Sequence, residues 1–103
     1  MARAQTVAIA VLSLCELVWV LRSVYGFQPP EISRAIRILI DAGNVEANRP
    51  AVEAGLAMLD AGGDFADGVI AFEGRWLGAE TFVSFDKKAV EMLRAQGQAA
   101  RAL

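Results

Sequence analysis

Apolar positions fall into two rhythms along this chain, and together they predict strands alternating with helices. Val7-Ala-Ile-Ala-Val-Leu12 is an unbroken apolar run with β-branched residues, the pattern of a strand buried on both faces. Ser13 is placed to cap a helix running to about Tyr25, with Leu17, Leu21 and Val24 on one face and Gly26 as its stop. Pro29-Pro30 suits the first turn of a second helix. Ile32, Ala35, Ile36, Leu39 and Ile40 then recur at helical spacing, and Arg34 and Arg37 fall off that stripe. Gly43 stops the helix, and Asn44-Val-Glu-Ala47 reads as a short edge strand. Pro50 opens a third helix with Val52, Leu56 and Leu59 inward, ended by Gly62-Gly63. Asp64 caps a fourth helix through Leu77, closed by Gly78. Thr81-Phe-Val-Ser-Phe85 reads as a second buried strand. The last helix runs from Lys87 to about Gln96, with Val90 and Leu93 inward and Gly97 after it. This alternation specifies an α/β fold with a parallel sheet flanked by helices. No repeat or linker interrupts it, so residues 1–103 read as one domain.

Composition narrows the function classes. The chain is 55% hydrophobic, which argues against disorder. Its net charge of −2 announces no general affinity for nucleic acid, although Lys87, Lys88, Arg94 and Arg101 against Glu91 make the C-terminal stretch basic. The absence of histidine excludes a Cys–His nucleophile pair and a His-containing zinc site. A single cysteine, Cys15, allows no internal disulfide and fits a cytoplasmic location. The apolar stretch from Thr6 to Leu21 is shorter than the roughly twenty residues a spanning helix needs, and it contains Glu16. Leu14 stands before Cys15 where a lipoprotein signal needs a small residue, so neither membrane insertion nor export is expected.

The carboxylates carry the chemistry. Glu16 lies inside an apolar run, Asp86 ends one, and Asp64 and Asp67 open another. Carboxylates in apolar surroundings are costly unless something pairs or neutralises them. A divalent cation would do so, and all-oxygen ligands suit Mg²⁺ or Mn²⁺. Ligands of a parallel sheet bind at the carboxyl ends of its strands. Glu16, in the first turn of the helix after the first strand, and Asp86, at the end of a later strand, are therefore expected at one sheet edge. Asp64 and Asp67, three residues apart, share one side of their helix and can join them. Each acid also has an ordinary role. Asp64 and Asp86 can cap helices, Asp67 can favour the positive end of a helix dipole, and Arg22 or Ser13 can satisfy Glu16. Lys87 or Lys88 can pair with Asp86. No phosphate-loop or dinucleotide fingerprint is present.

Three motifs in order resemble a known family. Leu14-Cys-Glu16-Leu-Val-Trp-Val-Leu-Arg-Ser-Val-Tyr-Gly26-Phe resembles the second acidic motif of bacterial PIN-domain toxins of the VapC family. Asp64-Phe-Ala-Asp67-Gly-Val-Ile-Ala71 resembles their Asp-Phe-Ala-Asp-Ala-Leu-Ile-Ala segment, with Gly68 in place of the usual Ala. Thr81-Phe-Val-Ser-Phe-Asp86-Lys-Lys-Ala resembles their last acidic motif. The resemblance runs from about Gln5 to the C-terminus. It implies a PIN fold and a metal-dependent endoribonuclease that cleaves RNA phosphodiester bonds with Mg²⁺ or Mn²⁺. It further implies a homodimer and inhibition by a VapB-type antitoxin. The metal ligands and catalytic acids would be Glu16, Asp67 and Asp86, with Asp64 an accessory ligand.

Relative to the family, the chain lacks the first strand, its Asp-Thr-Asn motif with a primary ligand, and the helix that follows. That strand is central, between those expected at residues 7–12 and 81–85. The two strands are then expected to pair directly, to receive a strand from another chain, or to belong to a polypeptide that begins upstream. The alternative functional reading is a truncated, non-catalytic interaction module that keeps the dimer or antitoxin surface. An unrelated small α/β domain with ordinary helix caps is the third.

Overall fold

The computed structural model describes residues 5–78, 81–84 and 86–102. In chain order these form β1 (Val7–Ala8), α1 (Val11–Ser23), α2 (Pro29–Ile40), β2 (Val45–Glu46), α3 (Arg49–Asp60), α4 (Phe65–Trp76), β3 (Phe82–Ser84), α5 (Lys87–Ala95) and β4 (Ala100–Ala102). Mixed α/β character follows the expectation, and so do the spans of α2 to α5.

The helix starts are built as their residues dictate. The Gln28 N–H donates to the Glu31 carboxylate at 2.9 Å, which secures the first turn of α2 beside Pro29-Pro30. Asn48 caps α3, its Oδ1 accepting from the Ala51 N–H at 3.3 Å. The main core joins Leu14 and Val18 of α1, Ile32, Ile36 and Ile40 of α2, Val52, Leu56 and Leu59 of α3, and Phe65 and Val69 of α4. A smaller cluster of Met58, Ala71, Val90, Leu93 and Ala100 fastens α5 and β4 to α3 and α4. Each large side chain so buried contributes about 1.5–3 kcal/mol.

The first apolar run is divided differently from the expectation. β1 is only two residues long and both are exposed. α1 begins at Val11 with Ala10 at its N-cap, so Ser13 lies within the first turn and caps nothing. The reason lies in the side chains: Val11, Leu14, Val18 and Leu21 line one helical face against the core, and a short apolar run satisfies helix and strand periodicity alike. Val24, expected inward, is exposed because α1 ends at Ser23.

The strands form two separate parallel pairs. β1 lies beside β2, with Val7 opposite Val45, and β3 lies beside β4, with Phe82 opposite Ala100. The single parallel sheet of the expectation is not formed among the described residues, and β1 and β3 do not pair directly. Val83, expected in a buried strand, is 42% exposed. β4 has no counterpart in the sequence reading, because Ala100-Arg-Ala102 has little strand propensity. No helix among the described residues is long and apolar enough to cross a membrane.

α3 and α4 form the tightest unit. Their connection is a Schellman turn: Gly62, at φ +96°, donates to the Leu59 carbonyl at 3.0 Å, and Gly63 donates to the Met58 carbonyl at 2.9 Å. Beyond the turn the helices meet at glycines. A Cβ on Gly68 would stand 2.4 Å from the Ala54 carbonyl oxygen, and one on Gly55 would stand 2.6 Å from the Phe65 ring. Gly68→Ala raises helix propensity by about 1 kcal/mol, yet overpacking against backbone costs about 1–3 kcal/mol. The variant is expected to be less stable than wild type in urea denaturation. A more stable variant would show that the helices do not approach this closely.

Candidate acidic pocket

Three of the expected site acids stand where two helices begin. Asp64 is the N-cap of α4, its Oδ1 accepting from the Ala66 N–H at 3.0 Å. Asp67 lies in the first turn of the same helix. Asp86 is the N-cap of α5, its Oδ1 accepting from the Lys88 N–H at 3.0 Å and the Ala89 N–H at 3.2 Å. The capping roles of Asp64 and Asp86 are therefore real, each contributing about 1 kcal/mol. They do not exhaust these carboxylates, because all three aspartates line one cavity of about 120 Å³.

The α3–α4 turn makes this convergence possible. The Schellman turn hands the chain directly to Asp64, and the packing of α5 through Val90 and Leu93 brings its N-terminus alongside. Among the described residues β1 and β3 lie in separate strand pairs, so the shared sheet edge expected from sequence is not formed there. Arg22, Gly62, Gly63, Lys88, Ala89 and Met92 complete the lining.

Like charges press on the half-buried member of the set. Burial pushes the Asp67 carboxyl above its ordinary value, and the nearby Asp64 and Asp86 charges raise it further. Cys15 in α1 lies close enough to feel the charge of Asp64. Its thiol is pushed up by burial first and then by Asp64 and Glu73, so it stays protonated and is a poor nucleophile.

Compared with protein-family models, curated proteins and solved structures, the chain matches none.

Glu16 stands apart from the three aspartates. It lies in the second turn of α1 rather than the first, because the helix begins at Val11, and it is exposed and outside the cavity lining. Among the described residues no three Asp, Glu, Cys or His side chains are grouped to hold one ion. Arg22 is one of the two partners, with Ser13, that the sequence offers Glu16. Its Nη1 instead donates to the Gly63 carbonyl at 3.0 Å and reaches the acidic cavity. A basic residue in the last turn of a helix ordinarily signals only dipole complementarity, so nothing local in the sequence marks this contact. A much wider groove beside α2, about 870 Å³, is lined by Arg34, Arg37, Asp41 and Asp60. There Arg37 pairs with Glu53 at 2.7 Å and Asp41 with Arg49 at 2.9 Å, exposed ion pairs with no catalytic arrangement.

A carboxyl whose folded-state pKa is raised holds its proton more tightly than in the unfolded chain. It therefore favours the fold at low pH, and that contribution is lost as pH rises through the folded pKa. Asp67→Asn removes the repulsion and is expected to raise Tm at pH 7. The advantage over wild type should shrink as pH falls below the ordinary carboxylate range. A lower Tm for the variant at pH 7 would contradict the repulsion.

Proposed function

We propose that this chain is a VapC-like PIN-domain toxin chain, a metal-dependent endoribonuclease acting in the cytoplasm and restrained by a VapB-type antitoxin. The observation that carries this reading is the gathering of Asp64, Asp67 and Asp86 on one small cavity, where burial and then the charges of Asp64 and Asp86 push the Asp67 carboxyl up. These acids come from two of the three motifs that resemble the family.

The donor set suits a hard divalent ion. The cavity offers carboxylate oxygens, no imidazole and no thiolate, and a cation there relieves the repulsion on Asp67. Mg²⁺ commonly takes only one or two protein carboxylates and completes its sphere with water and phosphate oxygens, so a preassembled three-acid group is not required. Asp67 and Asp86 would hold the ion and Asp64 would assist, while Glu16 is exposed and does not line the cavity. The chemistry such an ion supplies is activation of water and neutralisation of phosphodiester charge. The protein's own part is to fix the acids on helix N-termini and to offer Arg22 and Lys88 beside them, two cations suited to phosphate oxygens.

A specific observation favours the alternative, a non-catalytic interaction module. Leu12, Trp19, Tyr25, Ile70, Trp76 and Leu77 are large apolar side chains left exposed. The radius of gyration is 14.7 Å, against about 13 Å for a compact chain of this length. Both features suit a surface covered by a second copy, as in the homodimer that the resemblance implies, or by an antitoxin.

The two readings separate in one experiment. The purified chain is incubated with RNA in Mg²⁺ or Mn²⁺, with and without a chelator, beside Asp67→Asn. Under the nuclease reading wild type cleaves, chelator stops it, and Asp67→Asn is inactive with unchanged far-ultraviolet circular dichroism. Undiminished cleavage by Asp67→Asn would refute the site. No cleavage, together with a Tm that ignores both metals, would refute the nuclease reading and leave the interaction module to be tested by oligomeric state.

A further inference from the structure

Arg22 is a long-range contact out of keeping with its position. A basic residue closing a helix complements the helix dipole and can bond the last carbonyls of its own helix. Arg22, in the last turn of α1, instead crosses to the Gly63 carbonyl, 41 residues along the chain, at 3.0 Å. Gly63 is the last residue before the Asp64 cap, so this carbonyl belongs to the peptide link that leads into α4.

The same turn is held from its other sides. Gly63 donates to the Met58 carbonyl in α3. A side chain at Gly63 would collide with the sulfurs of Met58 and Met92, the second of these in α5. α1, α3 and α5 therefore all close on the Gly62–Gly63 turn, and Arg22 supplies the only grip from α1 among the described hydrogen bonds of that turn.

We propose that Arg22 is the positioning residue of the acidic pocket, tying the Gly62–Gly63 turn to α1 and so setting where Asp64 and Asp67 stand relative to Asp86. Its guanidinium serves as a clamp rather than a countercharge. Its described hydrogen bond goes to a backbone carbonyl and not to a carboxylate. The consequence for metal binding rests on the reading of the pocket as a metal site, whereas the clamp itself does not.

Amide hydrogen exchange on the metal-free full chain tests the clamp in wild type, Arg22→Ala and Arg22→Lys. The reporters are the N–H groups of Gly63, bonded to Met58, and of Asp67 and Gly68, both bonded to the Asp64 carbonyl. Arg22→Ala is expected to speed their exchange by about 10-fold, the effect of losing one charge-assisted hydrogen bond, while α2 amides keep wild-type rates. Arg22→Lys, which can still donate to the carbonyl, is expected to restore most of the protection. Equal exchange in wild type and Arg22→Ala would overturn the clamp.

Mn²⁺ affinity, read from the electron paramagnetic resonance signal of free Mn²⁺, then tests its consequence. Arg22→Ala is expected to bind about 10-fold more weakly, as when a group that orients ligands is lost, with Arg22→Lys close to wild type. Equal or tighter Mn²⁺ binding by Arg22→Ala would overturn the positioning role, since a mere repelling charge gives the tighter result. If wild type takes up no Mn²⁺, the metal reading fails, and the exchange data alone decide the clamp.

Discussion

The close approach of α3 and α4 governs the rest of the molecule. Gly55 and Gly68 remove the side chains that would hold these helices apart, and the Phe65 ring and Val69 fill the space against Gly55. Packing at this distance brings many small dispersion contacts into play together. It also fixes the connecting turn. With the two helix axes set, Gly62 must adopt its left-handed conformation, and Asp64 emerges from the turn directly onto the first free N–H groups of α4. The main core then lays α1 and α2 against this hairpin, while Met58 and Ala71 anchor α5 on its other side.

The acidic pocket is a product of that packing and works against it. Two helix N-termini welcome negative charge, so Asp64 and Asp86 are favourable where they stand. Asp67 is different. Half-buried between them, it is pushed toward its protonated form. Retaining a repelled carboxylate inside a well-packed junction is an arrangement suited to binding a cation, because the energy that disfavours the empty anion is returned when charge is neutralised. Arg22 and Lys88 give the same cavity a cationic side, so both signs of charge meet within one lining.

Much of the fold was legible because its helices carry their own punctuation. Pro29-Pro30, Pro50, Asp64 and Asp86 mark starts, and Gly62-Gly63 and Gly78 mark ends, each for a local stereochemical reason. The inward stripes Ile32-Ile36-Ile40 and Val52-Leu56-Leu59 follow from helical spacing alone. The strands were less legible. Val7 to Leu12 is apolar throughout, so only tertiary packing decides that the helix begins at Val11, and Ala100-Arg-Ala102 carries no strand signal. The same ambiguity puts Glu16 in the second turn of α1, where it is exposed and outside the lining that the aspartates share. Asp64 and Asp67 could be placed together from their spacing, but their meeting with Asp86 depends on how α5 docks. Arg22 was invisible as a clamp because its partner is a backbone carbonyl distant in the chain. The close role of Gly68 was equally hidden, since in isolation a glycine there reads only as a weaker helix.

The central proposal is that Asp67 and Asp86 hold a divalent cation, with Asp64 assisting. Nuclear magnetic resonance of the full chain titrated with Mn²⁺ tests it directly, since the paramagnetic ion broadens only nearby amides. The account predicts selective loss of signals from residues 63–68 and 86–89, with the amides around the exposed face of α2 at Arg34 and Ile38 retained. Broadening centred elsewhere, or uniform slight broadening with no preferred site, would contradict it.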